Sequence, residues 1–180
     1  MAEQFQLTDP PRDVQTINQI DLSLQFPSFT IETAWSLGCL LRSRLLAFPT
    51  ATVVNITLAN GTQLFHSAVK SGIVPDNDKW VERKRRTVLR FGTSTWYMHN
   101  KFAGDEVAFA AKYGLGPSAG EYAIHGGGFP VRVKGVEGVL AVVVVSGLKQ
   151  DQDHQIVVQT VRDLLEGTGE GLEGEKKKED

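Results

Sequence analysis

The sequence predicts an α/β (α+β) domain of three layers: a largely antiparallel sheet of five to six strands, flanked by helices. Three observations predict it. Val139–Val145 is an unbroken apolar run, which fits a strand covered on both faces. Asn60-Gly61 separates two alternating segments, the signature of a tight hairpin, because Asn-Gly supplies the positive φ values of a type I′ turn. Apolar residues recur at helical spacing near both ends of the chain, over 31–47 and 157–165, so helices are available to cover the sheet.

The elements follow in order. Residues 1–18 are polar and carry Pro10-Pro11, so they read as an extended arm before a domain at 19–166. Leu22, Leu24 and Phe26 alternate, predicting a half-buried strand over 21–26. Ser28 or Thr30 then caps a helix whose stripe is Ile31, Trp35, Leu37, Leu41 and Leu45, ending before Pro49. Cys39, the only cysteine, falls in this helix and reads as a small buried apolar residue. Val54, Ile56 and Leu58 give the first hairpin strand, and 64–68 gives the second, with His66 as a structural side chain.

Pro75-Asp76-Asn77-Asp78 opens a helical region with three candidate caps. The predicted helix 79–91 carries Lys79, Arg83, Lys84, Arg85, Arg86 and Arg90 around Trp80, Val81, Val88 and Leu89. Such a run ordinarily means a solvated face, and an anion site or acid-pairing interface is the functional alternative. Two short helices follow at 94–102 and 105–113, with His99 on the first, expected to be exposed. Gly114–Gly120 lacks a preceding strand and the spacing of a dinucleotide loop. Tyr122–Val131 reads as strand, glycine loop and strand, with a tight turn at 134–138 before the apolar strand. Asp151-Gln152-Asp153-His154 opens the last helix, and the chain from Gly167 cannot bury a core and reads as a disordered charged tail. A profilin-like or PAS-like arrangement fits this order.

Composition bounds the function. A net charge of −2 argues against generic binding to nucleic acid or anionic membrane. No apolar run approaches the roughly 20 residues of a membrane span, and the first residues lack a secretory pattern. One cysteine permits no internal disulfide and no cysteine-based zinc site. These features predict a soluble cytoplasmic protein.

The ligand-binding candidates are His125, Gly126, Gly127, Gly128, Phe129, Asp153 and His154. A histidine before three glycines combines an imidazole with backbone N–H groups that can cradle an anion, and Phe129-Pro130 would form its rim. A tight bend at a sheet edge explains the same residues equally well. His154, in the first turn of a helix, is a candidate neutral imidazole, a form able to act as base or metal ligand. Trp80, Arg83, Lys84 and Ser94 are candidates for an anion pocket or subunit interface. The sequence has no His-Glu-x-x-His pattern, no Gly-x-Ser-x-Gly elbow and no phosphate loop, so no metal and no catalytic residue is assigned.

One family resembles the chain over about residues 20–165. The resemblance is carried by Ala34-Trp35-Ser36-Leu37-Gly38, the Asn60-Gly61 hairpin and Trp80-x-x-Arg83-Lys84 with Val88 and Phe91. It continues through Ser94, His125-Gly126-Gly127-Gly128-Phe129-Pro130, Ser146-Gly147 and Asp153-His154. The sequence resembles the GlcG/HbpS-like family, known for its heme-degrading domain label, and within it the uncharacterised branch of bacteria and fungi. The resemblance implies a profilin-like sheet and a tight dimer that builds a larger ring. Some relatives bind heme or related tetrapyrroles. Here there is no Cys-Pro heme motif, and a single axial histidine remains as a possible iron ligand. The expectation is therefore a homo-oligomeric domain that binds a small ligand or a protein without catalysis, with heme binding or degradation as the alternative.

Overall fold

The structure, a computed structural model, describes residues 5–167. Its central sheet has five strands in the order β1-β4-β5-β2-β3. They are β1 (Gln25–Phe26), β2 (Val53–Leu58), β3 (Gln63–Ala68), β4 (Gly128–Val133) and β5 (Ala141–Ser146). β2 pairs antiparallel with β3 and β5, β4 pairs antiparallel with β5, and only the short β1 runs parallel to its neighbour β4. The predicted fold class is the observed one.

β5 sits at the centre and is buried along its whole length. Its side chains alternate between two apolar layers. Ala141, Val143 and Val145 face the cluster formed by α2 (Ile31–Leu45) and α6 (Gln150–Glu166). Val142 and Val144 face Val81 and Val88 of α3 (Pro75–Phe91). Each of these valines contributes roughly 1.5–3 kcal/mol by leaving water, so the strand needs no polar face.

Among the described residues three further α-helices are α1 (Val14–Ser23), α4 (Thr95–Lys101) and α5 (Glu106–Lys112). α4 and α5 enclose a satellite core of Met98, Phe109, Leu115 and Ile124. α3 begins at Pro75, earlier than the predicted Lys79. Proline has no N–H to leave unsatisfied at the first helical position, and Asn77 Oδ1 accepts from the Val74 N–H at 2.9 Å.

Several expectations require correction. The predicted strand over 21–26 is mostly the end of α1, leaving two strand residues. Asp13 caps that helix by accepting from the Thr16 N–H, and Ile17 and Asp21, one turn apart, are its buried positions. Leu22, read as inward, is exposed. Residues 5–13 do not stand free as an arm. Thr8 donates to Gln159 and accepts from Gln155, and the Pro11 carbonyl accepts from the Trp96 indole N–H at 2.8 Å. On α2, Ile31 and Trp35 are exposed, as is Cys39, because the face toward the core is Ala34, Leu37, Leu41 and Leu45. Tyr122–His125 forms no strand; a short 3-10 turn at 116–121 leads directly into the glycine loop. His99 is half-buried, stacked on Trp96 at 5.2 Å. The predicted charged tail lies outside the described residues.

Candidate functional site

The glycine loop owes its composition to packing. A Cβ on Gly126 would stand 2.2 Å from the Gln150 carbonyl oxygen. One on Gly127, where φ is +122°, would stand 2.2 Å from the Val145 oxygen and 2.8 Å from Lys84 Nζ. One on Gly128 would meet Thr95 at 2.9 Å. The loop is therefore pressed against β5, α3, α4 and the start of α6. Two of its N–H groups are used within the chain: Gly126 donates to Gln150 Oε1 and Gly128 to Thr95 Oγ1. Phe129 lies in the main core, 1% exposed, and forms no rim.

Beneath the loop lies a buried ion pair. Lys84 Nζ is 3.2 Å from Asp153 Oδ2, and both residues are 2% exposed. Lys84 also donates to the Val145 carbonyl at 3.1 Å. Asp153 accepts from the N–H groups of Gly147 and Leu148, which fixes the β5–α6 loop. Burial pushes the Asp153 carboxyl up to about 6, and Lys84 and the loop N–H groups pull it back down.

A cleft of about 590 Å³ opens above this pair. Arg12, Trp80, His125, Lys149 and Asp151 stand around it, Trp96 and Leu148 add apolar surface, and Lys84 and Asp153 lie at its floor. Arg12 lies over the Trp96 ring at 5.1 Å and 3.6 Å from Asp151. His125 meets the Trp80 ring edge-on at 4.9 Å, and Arg83 covers that indole at 4.5 Å. Burial, followed among the lowering causes by Lys84 and Arg83, depresses the His125 pKa; Glu106 opposes them. Its Nδ1 is 3.2 Å from Glu106 Oε1 but off the hydrogen-bond line. His125 thus presents a neutral imidazole at pH 7.

The two foremost histidines are placed differently. His154 is fully enclosed, 5.8 Å from the Trp96 ring, with Nδ1 unpartnered. Burial pushes its pKa down to about 3. It does not line the cleft. Ser94 is also internal: its Oγ caps α4 by accepting from the Tyr97 N–H, and its own N–H donates to Asp21. The remaining bases of α3 make the expected solvated face, with Arg86 paired to Glu82 and Glu121 and Lys79 to Glu82.

Sequence reasoning missed Arg12, Trp96 and the loop 147–151. Lys84 is an anion-pocket or interface candidate within a basic run, and its spacing marks it as facing inward. Positions 81, 84 and 88 share one helical face, and Val81 and Val88 are its apolar members. Among the described residues no group of three or more His, Cys, Asp or Glu side chains could hold a metal ion, and no helix is long and apolar enough to cross a membrane.

Fold and cleft together define a three-layer mixed α/β domain with a cleft at the start of its last helix. Comparison with known proteins identifies the family. The profile of the haem degrading, HbpS-like proteins matches residues 29–162, and the chain belongs to that family. A UPF0303 protein of Streptomyces coelicolor is 40% identical over 152 residues, covering 84% of this chain and 93% of that relative. The crystal structure of Ybr137w protein superposes with a TM-score of 0.80 at 30% identity, covering 87% of this chain and 89% of the other. That of HbpS gives a TM-score of 0.58 at 22% identity over 78% and 92% of the two chains, a likeness of fold.

Proposed function

We propose that the chain is a non-catalytic binding domain and that its cleft receives a small ligand. The observation that carries this reading is the cleft itself, about 590 Å³ in volume and floored by a buried ion pair. That volume lies within the range of ordinary ligand pockets, and buried charge in a concave site is a recognised mark of function. The functional unit is the 19–166 domain with the preceding segment docked on it. Arg12, from that segment, forms part of the cleft wall. Lys84 and Asp153 are engaged with each other, and Asp153 with the loop, so the floor is held in place. In the same reading the protein is cytoplasmic and works as a homo-oligomer, a dimer that builds a larger ring.

The test is a titration with a library of small planar compounds, read by amide NMR. Binding should move the signals of Gly147, Leu148, Lys149 and Gln150 together with the Trp80 indole signal. Compounds that bind while leaving those signals still would place the site elsewhere and overturn the proposal.

One observation favours a second reading, haem binding. His125 reaches the cleft with its pKa depressed, the form an iron ligand requires, and Arg12 and Lys149 are cations near it that suit propionates. A bound haem would supply the iron chemistry; the chain's part is to hold it through His125 and exclude water with Trp80 and Leu148. His154 does not fit this role, being sealed behind Trp96. Hemin titration should give a saturable Soret shift that His125→Ala removes and His154→Ala retains. A shift that survives His125→Ala would reject the ligand, and the absence of a saturable shift would reject haem.

A further inference from the structure

We propose that the floor of the cleft is a carboxylate site, and that the ligand is a small aromatic acid held by Lys84 and the first turn of α6. The inference rests on the small-ligand reading above and adds the ligand's chemical class.

The starting point is the number of Lys84 donors. An ammonium has three N–H bonds. Among the described residues Lys84 Nζ has two acceptors, Asp153 Oδ2 and the Val145 carbonyl. The residue is 2% exposed and lines the cleft, so its third N–H has no acceptor among the described residues of the chain and is available to an oxygen on the cleft side. An ion pair this deep is a poor source of stability in its own right. A ligand oxygen entering from the cleft would complete the set.

The surroundings favour an anion. Gln150 and Asp151, the first residues of the 17-residue α6, line the cleft beside Lys84. Lys149 at the cap position provides no side-chain cap, and of the first N–H groups of the helix Gln152 donates to Asp151 Oδ1 at 3.0 Å, so the positive end of the helix adds to the field of the cations. Gly147 and Leu148 donate to Asp153, which ties the loop to the start of the helix. Arg12, Lys84 and Lys149 set three positive charges against Asp151 and Asp153 around the cleft. The apolar part of the ligand is set by Trp80. Arg83 covers that indole and His125 meets it edge-on, which fixes its orientation for a flat ring.

The test compares benzoate with benzamide, which share a ring and differ in charge. At pH 7, benzoate should bind at least tenfold more tightly and move the side-chain ammonium signal of Lys84, observable because burial slows its exchange. Benzamide should leave that signal still. The double variant Lys84→Met/Asp153→Asn removes both buried charges together and should abolish the preference while retaining benzamide binding. If the variant does not fold, the Lys84 ammonium signal in the unaltered protein decides the matter: unmoved by saturating benzoate, it overturns the assignment. Equal affinity for the two probes would reject the acid class and leave the small-ligand reading in place. Failure of both probes to perturb the cleft would count against both.

Discussion

Two buried ionisable residues give the protein's stability a dependence on pH. His154 has its folded pKa pushed down to about 3 by burial. The unfolded chain therefore binds the proton more readily, and this residue's contribution to stability is present above about 6.5 and lost as pH falls towards 3, at about 1.4 kcal/mol per unit. Thermal unfolding of His154→Phe from pH 7 to 4.5 should show a shallower loss than the unaltered protein; parallel curves would contradict the burial account. Asp21 runs the other way. Burial raises its carboxyl to about 6, despite the Ser94 N–H donating to it at 3.1 Å. The folded state holds that proton more tightly, so stability from this group is greatest below the ordinary 3.8 and declines as pH rises through about 6. Asp21→Asn keeps an acceptor for Ser94 and removes the ionisation, so its melting temperature relative to the unaltered protein should rise between pH 4.5 and 7.5. A constant difference would show that Asp21 stays ionised throughout. Neither residue was legible from sequence as a buried group. Asp21 sits in a segment whose alternating leucines suggested a strand, and the burial of His154 depends on Trp96, from an element distant in the chain.

Elements with a strong periodic signal were the legible ones. β5 was readable because 141–145 is apolar throughout and each face has a partner layer. α1 was not readable, since only Ile17 and Asp21 of its ten residues are buried and the decisive signal was the Asp13 cap. The glycine loop was legible as a singular feature, but its reason lies in contacts between β4, β5, α3 and α6 that no local pattern contains. Its role yields a direct comparison. Gly127→Ala must adopt φ +122° and place a Cβ 2.2 Å from the Val145 oxygen, and should cost about 3 kcal/mol or more. Gly61→Ala also has a positive φ, +93°, but meets nothing within 4 Å and should cost about 1 kcal/mol. Chemical denaturation of the two variants measures the difference, and equal losses would contradict the packing explanation.

At the scale of the whole molecule, the sheet and its two covering layers create a rigid base, and the cleft forms where the segment containing Arg12, helix α3 and the β5–α6 loop meet. The sequence carried the layers because hydrophobic periodicity encodes burial directly. It did not carry the cleft, whose walls come from positions as far apart as Arg12, Trp80 and Lys149. The proposed oligomer is checked by light scattering at micromolar concentration, which should return a multiple of the 19.7 kDa chain mass; a monomer mass would reject it. The central claim is that the cleft receives a small ligand, and amide NMR during titration with small planar compounds tests it most directly. Saturable shifts at Gly147, Leu148, Lys149 and Gln150, accompanied by the Trp80 indole, are the predicted result, and a bound compound that leaves all of these signals unmoved would contradict it.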